Sequence, residues 1–300
     1  MAVTRPVKNR INTHQKEYQR LKKGKESLLT IIEEAELPES VYNSNAIENS
    51  TLTLKETEKI LLEMELSRDV NLREVFEAKD LARVSEYVKT KAKEQEINKE
   101  TILLLHQMLI TNIDDRIAGR FRVKGEYVRV GSHIAPAPEQ VERMIESTLL
   151  EYISALNSFA VDRIAKFHLD FEIIHPFCDG NGRIGRLLIN FQLRRLNLPP
   201  VIIRNKEKQD YYQALDEYRR SKKTNPMEKI ISLALLESFH KRVTYLKGEE
   251  IVRLSEYAKQ HKLTAPALLN AAKRQNIPAF REKGVWKISK SFKYKPRKKN

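Results

Sequence analysis

Cysteine is almost absent from this chain of 300 residues, in which Cys178 stands alone. One cysteine excludes an internal disulfide framework and a zinc ribbon, and it is typical of a reducing cytosol. Long apolar runs are missing too: residues 230–236 fall far short of the roughly 20 residues that span a bilayer. The first residues lack the apolar stretch of a secretory signal. We therefore expect a soluble, cytoplasmic protein without a membrane segment.

Glycine and proline are scarce, with 9 and 11 residues, and the chain is 41% hydrophobic and 32% charged. This balance is typical of a globular protein and excludes an intrinsically disordered one. The length suggests two domains of roughly 150 residues each, which is enough to bury a core without disulfides or a structural metal.

Positive charge is concentrated at the two ends of the chain. Residues 1–25 carry a net charge of +7 and residues 251–300 carry +12, so the remaining residues contribute −4 to the overall +15. Such basic ends are either solvated tails or binding surfaces for polyanions, of which nucleic acid is the first candidate.

Apolar residues at helical spacing dominate the sequence. They predict helices over 39–50, 70–93, 99–112, 162–175, 183–196, 207–222 and 226–245. Residues 120–130 instead alternate polar and apolar side chains between Gly119 and Gly131, which predicts one β-hairpin. The fold class is therefore predicted to be all-α with a single hairpin in the main body.

The most informative stretch is HPFCDGNGRIGR, which runs from His175 to Arg186. A glycine loop leading into a helix suits an anion, because helix N-termini expose unpaired N–H groups. Arg183 and Arg186 lie on one helix face and can grip two phosphate groups. Asp179 suits a hard cation that bridges phosphates, and His175 can accept a proton near neutral pH. Together these residues predict phosphoryl or nucleotidyl transfer.

These twelve residues closely resemble the Fic family signature HPFx(D/E)GNGRxxR, and every fixed position matches. The resemblance implies a protein adenylyltransferase, which transfers AMP from ATP to a Tyr, Thr or Ser hydroxyl of a protein and releases pyrophosphate. It implies that His175 is the base and that Asp179 holds Mg²⁺. The phosphates would be bound by Gly180, Asn181, Gly182, Arg183 and Arg186. Doc-type variants, which phosphorylate, replace the glycine that is Gly182 here.

Segments on either side extend the resemblance. Residues 119–135 resemble the Fic flap, which binds the target peptide as an added strand. The flap residues implied to line the nucleotide are Val128, Arg129, Val130 and Gly131. Tyr211 and Tyr212 stand where Fic enzymes clamp the base and ribose, whereas Arg219 replaces a family asparagine.

Residues 44–49, SNAIEN, fit the Fic inhibitory pattern (S/T)xxxE(G/N). The resemblance implies an N-terminal inhibitory helix over 39–50 that acts through Ser44 and Glu48. Glu48 can pair with Arg186 and occupy the place of the γ-phosphate. Some Fic proteins also remove AMP and use this glutamate to position water, so de-AMPylation is an open alternative.

The C-terminal segment has a different pattern. Predicted helices over 254–260 and 265–275 precede a β-ribbon that turns at Lys283 and Gly284. This order resembles winged helix–turn–helix modules of the excisionase and MerR kind. Polar side chains of the second helix suit base edges and phosphates: Asn270, Lys273, Arg274 and Gln275. DNA bound through 249–300 is therefore one candidate partner, and protein docking is the other. A DNA-binding regulator with a nucleotide-sensing Fic body is the second hypothesis for function.

The complete prediction is an all-α protein: a Fic-type helical bundle with a β-hairpin flap and a small C-terminal winged helix domain. The predicted segments are an N-terminal helical region over 1–95, a catalytic domain over 96–248, the winged helix module over 249–292 and a basic tail over 293–300. We expect a protein substrate to dock on the flap. A homodimer is an open alternative.

Overall fold

The computed structural model describes residues 5–63, 70–131, 133–155 and 157–294. Its α-helices are α1 (Arg5–Leu21), α2 (Glu26–Ile47), α3 (Leu54–Glu58), α4 (Leu72–Lys91), α5 (Lys99–Ile110), α6 (Pro138–Ser154), α7 (Ala160–Ile174), α8 (Asn181–Arg195), α9 (Lys208–Ser221), α10 (Asn225–Leu246), α11 (Leu254–Gln260) and α12 (Ala265–Lys273). A π-helical turn over Lys59–Glu63 follows α3, and a 3₁₀ turn over Asn205–Glu207 precedes α9. The strands are β1 (Arg129–Val130), β2 (His133–Ile134), β3 (Ile251–Arg253), β4 (Phe280–Glu282) and β5 (Val285–Ser289). The prediction of a mostly helical fold with a hairpin is confirmed.

Local signals in the sequence account for where the central helices begin and end. The Asn98 side chain caps α5 by accepting a 2.8 Å hydrogen bond from the Thr101 N–H. α7 ends because His175 adopts a left-handed conformation, with φ of 49°, and Pro176 cannot continue the helix. The apolar stripe of α7 is buried as its spacing predicts, with Phe171 fully enclosed.

The chain divides into two compact units, and the larger one is Leu37–Ile231. Inside it, α7 packs against α6, α8 and α9, and α8 also packs against α4 and α5. Phe171, Phe177 and Phe191 have no exposed surface and lie in the apolar core that these helices share. The ends of α7 and α8 are therefore fixed by a core on several sides, which gives the loop between them a rigid base.

The second unit combines Arg5–Glu36 with Ser232–Asn300, of which residues 295–300 lie outside the described residues. Most of the predicted basic tail is thus outside the description. In this unit β3, β5 and β4 form an antiparallel sheet in that order, and α11 packs on α12 and β5. This grouping differs from the boundaries predicted at residues 95 and 248. Those boundaries and the winged helix assignment stay predictions.

One residue of α12's end differs from the sequence-based interpretation. Gln275 was expected to face a nucleic acid, but it is only 1% exposed. Its Nε2 donates to the carbonyls of Ala272 and Ala279, and its Oε1 lies 2.7 Å from His240 Nδ1. Gln275 is therefore a core residue, whereas Asn270 and Lys273 are exposed as predicted.

The hairpin is shorter than predicted. β1 and β2 pair Arg129 with Ile134 and Val130 with His133, whereas residues 121–128 form no strand. The prediction over 120–130 was wrong because Arg122 points inward and is 3% exposed, so the alternation does not give one polar face. Residue 132 lies outside the described residues. Among the described helices, none is both long and apolar enough to cross a membrane.

Candidate active site

The loop between α7 and α8 is braced by Asn181, the first residue of α8. Its Oδ1 accepts a 2.9 Å hydrogen bond from the Phe177 N–H, and its Nδ2 donates to the Phe177 carbonyl at 2.8 Å. Gly180 has a φ of +80°, which favours glycine over any residue with a side chain. The loop therefore holds one defined conformation at the N-terminus of α8.

His175 carries a neutral imidazole. Its Nδ1 lies 3.3 Å from the carbonyl oxygen of Glu172, which makes Nδ1 the donor and leaves the lone pair on Nε2. Burial lowers the pKa of His175 to about 4, although the Glu172 carbonyl acts in the opposite direction. At neutral pH this side chain can therefore accept a proton.

Arg122 holds the backbone around His175, and the sequence did not single it out. Its Nε donates to the His175 carbonyl at 2.9 Å, and its Nη2 donates to the carbonyls of Ile174 at 3.2 Å and Pro136 at 2.9 Å. Its Nη1 donates to the Glu126 carbonyl at 3.0 Å. The segment before the hairpin is thereby tied to the end of α7. The only available signal was an arginine inside an alternating apolar segment.

The ion pair predicted between Glu48 and Arg186 is present. Glu48 Oε1 lies 2.8 Å from Arg186 Nη2, and the Arg186 Nε donates to Ser44 Oγ at 2.9 Å. A Cβ at Gly182 would lie 2.1 Å from Glu48 Oε1. The carboxylate therefore fits against α8 only because position 182 has no side chain.

Buried guanidinium groups at the start of α8 keep donors without hydrogen-bond partners. Within the described part of the chain, these are Nε of Arg183 and Nη1 of Arg186, together with Nη1 of Arg183, whose one contact is an ion pair at 3.4 Å with Oε1 of Glu77. Arg183 is 3% exposed and Arg186 is 6% exposed. Buried donors without partners are rare in folded proteins, and phosphate oxygens are strong acceptors for them. This is the feature that a bound triphosphate would satisfy.

The carboxylate of Asp179 is already paired on both oxygens. Oδ1 accepts from the Gly180 N–H at 2.5 Å and from Arg183 Nη2 at 3.1 Å, and Oδ2 accepts from Arg73 of α4. Burial acts to raise the pKa of Asp179, but these partners hold it below its ordinary value. No group of three or more metal-binding side chains occurs in the described residues. One carboxylate fits Mg²⁺ that is shared with nucleotide phosphates, as is usual for this ion.

The two neighbouring tyrosines have different surroundings. Tyr211 is 1% exposed, and its hydroxyl lies 2.8 Å from Nε2 of His168. Tyr212 is 37% exposed and donates a 3.0 Å hydrogen bond to the carbonyl of Ile47, at the end of α2. Of the pair, only Tyr212 offers its ring to a ligand from outside. The nucleotide contacts expected of Val128–Gly131 stay predictions.

Comparisons with known proteins agree with this geometry. Residues 96–193 match the Fic/DOC family. A relative from Nematostella vectensis named protein adenylyltransferase Fic is 33% identical over 181 residues, which are 59% of this chain and 42% of the relative. The chain thus spans about two fifths of that relative's length.

Solved structures give the same result. The crystal structure of a Fic domain containing signaling protein from Bacteroides thetaiotaomicron has a TM-score of 0.72 and 26% identity, and covers 81% of this chain and 98% of that one. A Fic family protein from Desulfovibrio desulfuricans has a TM-score of 0.68 and 20% identity over 98% of this chain and 99% of its own, and that likeness shows the fold alone. Residues 96–193 of this chain therefore match the Fic/DOC family in sequence and have the fold of these Fic structures.

Proposed function

We propose that this chain is a protein adenylyltransferase that transfers AMP from ATP to a hydroxyl of a protein and is inhibited by Glu48. The observation that carries the proposal is the set of buried guanidinium donors of Arg183 and Arg186 that make no hydrogen bond, at the helix start that follows His175. A triphosphate is the ligand whose charge and oxygen spacing suit these donors. The name of the Nematostella relative supports the same chemistry.

His175 acts as the general base in the transfer step. Its Nε2 takes the proton of the target hydroxyl, and the hydroxyl oxygen forms a bond to the α-phosphorus of ATP. The bond from that phosphorus to the oxygen bridging the β-phosphate breaks, and pyrophosphate leaves with the electron pair. Because the His175 pKa is about 4, the imidazole is in its basic form across the neutral range.

The remaining residues orient the phosphates and their charge. Arg183 and Arg186 bind phosphate oxygens, and the N-terminus of α8 adds its positive dipole end. Mg²⁺ held by Asp179 would supply charge that neutralises the phosphates. Glu48 Oε1 lies 2.8 Å from Arg186 Nη2, which supports a carboxylate that takes the place of the terminal phosphate. Inhibition by Glu48 is then direct competition for one guanidinium.

Labelled ATP tests this function in the full chain. We expect the Glu48→Gly variant to label itself at least about tenfold faster than wild type, since one lost competitor worth about 1.4 kcal/mol is a tenfold change. Adding His175→Ala to that variant should remove the label, because a missing general base lowers rates by about 10²–10⁴. Mass spectrometry of the labelled chain identifies both the donor nucleotide and the acceptor residue. Absence of label in Glu48→Gly would reject the function.

The flap is the surface where we infer that the protein substrate docks. Val123, Tyr127 and Ile134 are 53%, 61% and 67% exposed, so this segment presents apolar side chains to solvent. β1 and β2 form a hairpin of two residues each, to which an extended peptide can add a strand.

The half-buried free thiol of Cys178 suits a cytoplasmic protein, which is the location we infer.

Two alternatives retain support from particular residues. The Glu48 side chain is 38% exposed while it binds Arg186, so water can reach the carboxylate that de-AMPylation would use. Release of AMP from a modified protein, lost in Glu48→Gly, would identify that reaction.

The second alternative concerns DNA. Asn270, Lys273 and Arg274 are exposed at the end of α12, which favours duplex DNA as a partner of 249–300 over a neutral protein surface.

A further inference from the structure

Asp179, the residue expected to hold the divalent cation, is bound by an arginine from a distant helix. Arg73 lies in the first turn of α4, and its Nη2 pairs with Oδ2 of Asp179. Its Nε also lies 3.1 Å from Oε1 of Glu77, one turn further along α4. The Arg73 guanidinium therefore contacts Oδ2 of Asp179, whereas Arg183 contacts Oδ1.

These contacts close a ring of four charged side chains. Arg183 Nη2 lies 3.1 Å from Asp179 Oδ1, and Arg183 Nη1 lies 3.4 Å from Glu77 Oε1. Each arginine therefore contacts both acids. Two positive and two negative side chains balance, so the ring is neutral without any bound ion.

The two arginines of the ring differ in how freely they can leave it. The Arg183 side chain is 4% exposed and is enclosed by the core, whereas the Arg73 side chain is 53% exposed. Moving Arg183 would open the buried start of α8, but Arg73 can turn into solvent and still keep Glu77 at i+4. Only Arg73 can therefore give up Asp179 at low cost.

We propose that Arg73 competes with the divalent cation for Asp179 and so sets the metal concentration at which the nucleotide site fills. The inference rests on the proposed function, because it needs a metal–nucleotide complex as the ligand. The guanidinium neutralises Asp179 when no metal is bound, and it must leave the carboxylate when the metal arrives. Arg73 is therefore a positioning residue that acts on the metal ligand.

Binding measurements on the full chain test this role without any transfer reaction. In a Glu48→Gly background, binding of the β,γ-imido analogue of ATP is followed by calorimetry as Mg²⁺ is titrated from a metal-free start. We expect Arg73→Ala to lower the half-saturating Mg²⁺ concentration about two- to fivefold, which is the range for one partly exposed ion pair. Affinity for the analogue at saturating Mg²⁺ should stay unchanged.

Arg83→Ala is the matched control, because Arg83 lies on the same helix, is 50% exposed and pairs with Asp80. We expect this variant to keep the wild-type Mg²⁺ midpoint. An unchanged midpoint in Arg73→Ala would overturn the proposal alone. Weaker analogue binding at saturating Mg²⁺ would also overturn it, since Arg73 would then be a phosphate ligand. If no variant binds the analogue at any Mg²⁺ concentration, the proposed function fails as well.

Discussion

Gly182 is a glycine for reasons of space. Its backbone is helical, but a Cβ there would lie 2.1 Å from Glu48 Oε1 and 3.0 Å from Arg186 Nη1. Real Cβ atoms do not approach other atoms so closely, so any side chain at 182 displaces the carboxylate. The same open space lets a phosphate approach the helix start. The missing side chain therefore makes room for the Glu48 carboxylate and, under the proposed function, for a phosphate.

This arrangement predicts coupling between positions 182 and 48. Gly182→Ala should destabilise the wild-type chain, because the new methyl group separates Glu48 from Arg186. In a Glu48→Gly background the same change should cost less or stabilise, since alanine favours a helix over glycine by about 1 kcal/mol. Urea unfolding of the four proteins should give a coupling energy of about 0.5–3 kcal/mol. Additive effects would contradict the packing of Glu48 on Gly182.

At this scale the sequence predicted one contact of the candidate site, between Glu48 and Arg186, and missed others. The pairing of Glu48 with Arg186 followed from a motif and from opposite charge. The contact of Arg73 with Asp179 joins residues 106 positions apart, and spacing in a sequence gives no distance between separate helices. For the same reason the sequence could not show that Gln275 turns into a core.

Between α5 and α6 the chain is organised by a buried side chain more than by strands. Arg122 satisfies carbonyls on both sides of the segment, at Glu126 and Pro136, and two more at the end of α7. A guanidinium can do this because it has five N–H donors in a fixed plane. The segment that leads into the hairpin is therefore anchored at its base.

Arg122→Lys tests this anchor. An ammonium group has three donors and cannot reach all four carbonyls, so we expect a loss of about 1–3 kcal/mol in the free energy of unfolding. That loss lowers Tm by roughly 2–4 °C per kcal/mol for a unit of this size. Arg120→Lys is the control, because Arg120 makes a more exposed pair with Glu126. Equal Tm values for the two variants would show that Arg122 does not anchor the flap.

Helices were the most predictable elements because their signals are local, although the helix predicted over 39–50 is the last part of α2 (Glu26–Ile47), which continues through Pro38. Asn98 caps a residue three positions further along the chain, and the apolar stripe of α7 lies within one helix, so each signal is contained in one short segment of sequence. An alternating polar and apolar pattern predicts a strand correctly only if the apolar side chains are the ones that face the core. Arg122 faces inward, and for that reason the pattern over 120–130 predicted a hairpin longer than the one that forms.

The whole molecule carries its positive charge unevenly, and this has a measurable consequence. Residues 251–300 hold a net +12, and Lys273 and Arg274 are exposed there. If this surface binds duplex DNA, affinity should fall steeply with salt because bound phosphates release counterions. The sequence alone could not decide whether the basic ends bind DNA, since charge does not distinguish a solvated tail from a binding surface.

Replacing Lys273 and Arg274 together by glutamine should weaken duplex binding for all sequences and reduce the salt slope by about 2. The measurement is fluorescence anisotropy of a labelled duplex between 50 and 200 mM salt. Lys290→Gln is a control of the same charge class, because Lys290 is exposed but pairs with Glu250. A salt slope unaffected by the double change would favour protein docking for this segment.

The grouping of residues 5–36 with 232–294 bears on how the chain is made. Ribosomes add about 5–20 residues per second, so roughly 10–40 s pass between completion of residue 36 and arrival of residue 232. For that interval Tyr18, which is buried in the finished protein, lacks its ring contact with Phe239. Residues 37–231 can pack meanwhile. A truncated mRNA that ends before codon 232 would yield a chain in which apolar side chains of α1 are exposed. Chaperones and proteases recognise such exposed apolar segments.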